Sequence, residues 1–84
     1  MTNEQYLQIA KEYALENKYT HIREVERENS GVIFNLYNPR DVGTKKGLPF
    51  FIEISLNGSI QEIEDASTIY YLQERLIEVA LQSE

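Results

Sequence analysis

The chain has 84 residues, of which 42% are hydrophobic and 26% charged, a balance too apolar for disorder and sufficient for one core, so a single domain over 1–84 is expected. Eight Lys or Arg against 14 Asp or Glu give a formal charge of −6, which disfavours nucleic acid and anionic membranes as partners overall and favours basic ones. The absence of Cys removes disulfides and thiolate metal ligands, and no apolar run approaches the ~18–20 residues of a membrane span, so a cytoplasmic protein without a membrane association is expected.

Tyr6, Ile9, Ala10, Tyr13 and Ala14 lie on one stripe of a helix predicted over about residues 3–17. Thr2 and Gln5 have the spacing of a capping box, and Glu4 suits the positive end of the helix dipole. From Tyr19 to Glu28 the β-forming shapes of Thr20, Ile22 and Val25 favour a strand over the competing helical period. Ser30 and Gly31 supply a turn, with the loop at either Asn29 and Ser30 or Ser30 and Gly31, and the run Val32–Tyr37 reads as a buried second strand.

Asn38 to Pro49 holds both prolines and two of the four glycines and fits no regular element. It carries Arg40, Lys45 and Lys46, three of the eight basic residues, so the chain is locally positive there. Phe50–Leu56, Asn57-Gly58 and Ser59–Glu64 form the clearest hairpin pattern, and a two-residue Asn-Gly turn is expected. Asp65 or Ser67 is a candidate cap for a second helix over about 67–82, whose stripe is Ile69, Leu72, Leu76, Val79 and Ala80, with Tyr70, Tyr71, Ile77 and Leu81 beyond it.

The order α-β-β-β-β-α predicts an α+β domain of two layers: a four-stranded antiparallel meander with an N-terminal and a C-terminal helix packed on one face. A two-residue turn at Asn57 and Gly58 would set Ile54 opposite Gln61 and Ile52 opposite Ile63, placing Phe50, Ile52, Ile54, Leu56 and Ile63 on the core side. The first hairpin would add Val25, Val32, Phe34 and Leu36 to that side. The open face would then gather Glu24, Glu26, Glu28, Glu53, Glu62 and Glu64 among Ile22, Ile33, Tyr37, Phe51 and Ile60, with Glu53 and Glu62 unfavourably close.

Such a face is either solvated surface or a docking surface for a basic protein, in which Tyr37 and Phe51 anchor and the carboxylates steer encounter. Acidic inhibitors that imitate phosphates work in this way, so an inhibitor, immunity or anti-defence protein is the expected class by analogy. His21 is the only histidine and supports neither a metal cluster nor a catalytic triad, and the glycines match no phosphate-binding motif, so no catalytic residue, metal or cofactor is expected. Two alternatives remain: a homodimer or assembly protein through the second helix, and weak nucleic-acid binding through Arg40, Lys45 and Lys46.

Overall fold

The computed structural model describes residues 2–39 and 49–82. Its elements in chain order are α1 (Asn3–Glu16), β1 (His21–Glu28), β2 (Gly31–Tyr37), β3 (Phe50–Ser55), β4 (Ile60–Glu62) and α2 (Ala66–Gln82). The strands pair antiparallel in the order β1-β2-β3-β4, so the fold is the expected α+β meander with a helix at each end. Residues 40–48, and with them Arg40, Lys45 and Lys46, lie outside the described residues.

Both ends of α1 are satisfied locally. At its start the Gln5 N–H donates to Thr2 Oγ1 at 3.2 Å and the Thr2 N–H to Gln5 Oε1 at 2.7 Å, completing the capping box. At its end Lys18 turns left-handed with φ 67°, so that the Lys18 N–H reaches Leu15 O and the Tyr19 N–H reaches Ala14 O. This pair of bonds is a Schellman closure, normally built on glycine. The stripe Tyr6, Ala10 and Ala14 is buried against Val32, Phe34 and Leu36 of β2 and Ile52 and Ile54 of β3.

The second helix does not join the first. Val25, Ile33 and Phe51 form a separate buried cluster with Ile69 and Leu72 of α2, and Ile63 and Leu76 pack against it. Neighbours along a strand point to opposite faces, so Val32 and Ile33, or Phe51 and Ile52, belong to different layers. The expectation that both helices cover one face is therefore corrected: α1 and α2 pack on opposite faces, giving three layers with the sheet in the middle. The physical reason lies in β2 and β3, which are apolar on both sides and would leave Ile33 and Phe51 in water unless something covered each face.

Two local features reset the register. In the second hairpin the Ser55 N–H donates to Ser59 O and the Gly58 N–H to Ser55 O, and Gly58 has φ 89°. The loop is thus the three residues Leu56, Asn57 and Gly58, a turn followed by a left-handed glycine, in place of the two-residue Asn-Gly turn. Ile54 consequently pairs with Ile60, Glu53 with Gln61 and Ile52 with Glu62. One extra loop residue moves every β4 side chain to the other face: Ile60 and Glu62 to the α1 side, Gln61 and Ile63 to the α2 side. The anticipated opposition of Glu53 and Glu62 disappears with it.

In the first hairpin the loop is Asn29 and Ser30, since Glu28 pairs with Gly31. Farther along, a bulge at Val25 interrupts the ladder, with Glu24 opposite Phe34 and Glu26 opposite Ile33. Val25 therefore leaves the face it was expected to share with Val32, Phe34 and Leu36 and enters the α2 cluster. Gly31 is required at its position because a Cβ there would stand 2.2 Å from the Ile54 carbonyl oxygen.

Candidate functional site

Covering a sheet face with a single helix leaves the ends of that face open. α2 leaves the β4 side of the sheet, sets Ile69 and Leu72 over Phe51, Ile33 and Val25, and reaches β1, where the Tyr71 hydroxyl donates to Glu26 Oε1 at 2.7 Å. Arg75 Nε lies 3.5 Å from the same oxygen. The hydrogen bond to Glu26 raises the pKa of the Tyr71 hydroxyl above its ordinary value. The helix divides the face into one end bearing Glu28, Ile33 and Glu53 and another bearing His21, Arg23 and Tyr37.

At the first end a depression of about 420 Å3 opens to solvent beside the N-terminus of α2. Ile33 and Ile63 form its apolar part, and Glu28, Glu53, Gln61, Glu62, Glu64, Asp65 and Thr68 surround them. Asp65 is the best-fixed of these carboxylates. Its Oδ2 accepts from the Thr68 N–H at 2.9 Å, the Thr68 hydroxyl at 2.8 Å and the Ser67 hydroxyl at 2.9 Å. The Thr68 backbone bond, followed by the two hydroxyl bonds, holds its pKa below the usual carboxylate range.

Among the described residues no Lys or Arg forms an ion pair with Glu28, Glu53, Glu62, Glu64 or Asp65, whereas Glu24 pairs with Arg27 at 2.9 Å and Glu26 with Arg75. The same residues contain no group of three His, Asp or Glu arranged to hold a metal ion. No helix among them is long and apolar enough to cross a membrane.

No protein-family model, no curated protein and no solved structure matches this chain.

The expected acidic face is therefore only partly assembled. Glu28, Glu53 and Glu64 meet at the depression. Glu62 borders it, yet its carboxylate accepts a hydrogen bond from Tyr13 on the α1 side, which pushes the Tyr13 hydroxyl up to about 12. Glu24 is on the α1 side as well, opposite Phe34, and its partner Arg27 lies 5.6 Å over the ring of Tyr6. Glu26 is half-buried under α2, and Phe51 is fully buried there, so neither is an exposed anchor. Tyr37 stands at the opposite end, beside His21 and Arg23. In sequence Asp65 reads only as a cap and Gln61 only as a core-side partner of Ile54; the one-residue shift in β4, invisible in an Asn-Gly pattern, brings Gln61 to the rim.

Proposed function

We propose that this protein is a small non-enzymatic binding module whose acidic depression docks a basic protein partner. The observation that carries this reading is the gathering of Glu28, Glu53, Glu64 and Asp65 around Ile33 and Ile63 with no described cation paired to them. Unneutralised carboxylates attract a basic surface at long range, and the partly buried Ile63 among them offers an apolar contact at short range. An inhibitor, immunity or anti-defence role is the specific form of this reading, in which the carboxylates occupy the positions of phosphates on a nucleic-acid-binding protein. Oxygen acceptors spread over an open surface suit recognition better than acid–base chemistry, which benefits from an enclosed, desolvated pocket.

The test is affinity capture at low salt with wild type and with the triple variant Glu28→Lys, Glu53→Lys, Glu64→Lys, followed by affinity measurement on the purified captured protein. The expected result is a basic partner bound at least tenfold more weakly by the triple variant, unaffected by Glu24→Gln on the other face, and displaced by that partner's own nucleic acid. Equal binding by wild type and triple variant would refute the reading. A second reading, self-association through α2, is favoured by Tyr70, Ile77 and Leu81, which remain 58%, 57% and 69% exposed on its outer side. It predicts a dimer by light scattering that Ile77→Asp dissociates.

A further inference from the structure

The end of the α2-covered face opposite the depression has the reverse charge. Along this face the register gives a row of His21 and Tyr37, then a row of Arg23, Asn35 and Phe51, and neither contains a carboxylate. The carboxylates begin past the Val25 bulge, at Glu26, Glu28 and Glu53. Among the described residues Arg23 has no carboxylate partner, in contrast to Arg27 and Arg75.

The side chains at this end are also held in place. The His21 and Tyr37 rings lie 5.4 Å apart at 38°, and the Arg23 guanidinium carbon is 5.9 Å from the centre of the Tyr37 ring. Asn38 ties the corner together: its Nδ2 donates to Lys18 O at 3.0 Å, and its Oδ1 accepts from the Thr20 N–H at 2.8 Å and the Thr20 hydroxyl at 3.0 Å. The Thr20 hydroxyl is also 2.8 Å from His21 Nδ1, a hydrogen bond whose donor depends on the imidazole tautomer. The imidazole is oriented by this bond with its Nε2 unused by any described residue. His21 is exposed, and Arg23 and Tyr37 are half-exposed on β1 and β2, with β1 at the sheet edge.

We propose that His21, Arg23 and Tyr37 form a docking site for single-stranded nucleic acid at the edge of the sheet. Two accessible rings beside a guanidinium without a carboxylate partner match the repeating unit of such a strand, a flat base next to a phosphate. An acidic peptide would meet the guanidinium but leave the rings without a use. The net negative charge does not forbid the contact. Glu26, the nearest carboxylate on this face, is paired with Arg75, and Glu28 lies four ladder positions from Arg23, about 13 Å, which exceeds the screening length of about 10 Å at 0.1 M salt. The site is small, so few phosphates are engaged and the salt dependence is shallow. Arg40, Lys45 and Lys46 follow Tyr37 in sequence, but the proposal does not depend on them.

The experiment is fluorescence anisotropy at about 50 mM salt with labelled oligothymidylate and oligouridylate, and with a labelled oligoglutamate peptide as the competing chemistry. Saturable binding of the single strands is expected, weakened at least tenfold by Arg23→Ala and by Tyr37→Leu and unchanged by Lys11→Ala on α1. Amide chemical-shift mapping on the wild type, which needs no variant to fold, should place the perturbations at His21, Arg23 and Tyr37. Absence of saturable binding, wild-type affinity in both Arg23→Ala and Tyr37→Leu, shifts confined elsewhere, or oligoglutamate binding as tightly as the single strands would each overturn the proposal.

Discussion

Lys18 shows how one residue can carry a structural cost that the sequence does not announce. Its left-handed backbone closes α1 and turns the chain toward β1, but a side chain at Cβ opposes that conformation, and glycine would not. Lys18→Gly should stabilise the fold by about 1 kcal/mol, measured as a raised midpoint in urea. Tyr13 offers a test from the opposite direction. The hydrogen bond to Glu62 raises the hydroxyl to about 12 in the folded chain, against about 10 when unfolded. The unfolded chain then releases this proton first, so the contribution is complete below pH ~10 and lost as pH rises toward ~12. Urea unfolding of wild type should lose stability over that window more steeply than Tyr13→Phe; parallel curves would show that the bond does not persist in solution.

At the scale of elements, propensity and spacing made the two helices and four strands readable, together with the Thr2 and Gln5 cap and Asp65 as one of two candidate caps for α2. What they did not reveal was sidedness. A continuous run such as Val32–Tyr37 is apolar on both faces and carries no alternation to say which helix lies where. The Asx cap of α2 now permits a testable expectation. Asp65→Ala should lower stability at neutral pH. Because the folded pKa of Asp65 is lowered, its ionised form contributes fully above the unfolded value near 3.9, and the difference between variant and wild type should narrow as pH falls below that point. A pH-independent difference, followed by thermal unfolding, would exclude a charge contribution to the cap.

For the whole molecule, the expected acidic surface was half legible. Glu28 and Glu53 lie on the side that alternation within their own hairpins assigns, whereas Glu64 reaches the depression from the connection that follows β4. Glu24 and Glu62 were misplaced by the bulge and by the longer loop, features that each hang on a single residue. Phe51 is an exposed anchor only if both helices share one face; with α2 over it, it is fully buried. Carboxylates gathered without cations also oppose compactness, which separates binding from stability. Glu53→Lys should therefore raise stability by about 0.5 kcal/mol at low salt while weakening the proposed docking of a basic partner. A variant that loses both would point to a structural role for Glu53.

The Val25 bulge acts as a change of reading frame within a single strand. Before it, odd-numbered residues of β1 face α2 and include Arg23; after it, even-numbered residues do and include Glu26 and Glu28. One inserted residue thus lets a strand of alternating charge display cation and anion on the same side, separated along its length. Pairing Val25 in a regular ladder would turn either the cationic or the acidic half toward α1, so the polarity of this face depends on the bulging of a residue that carries no charge.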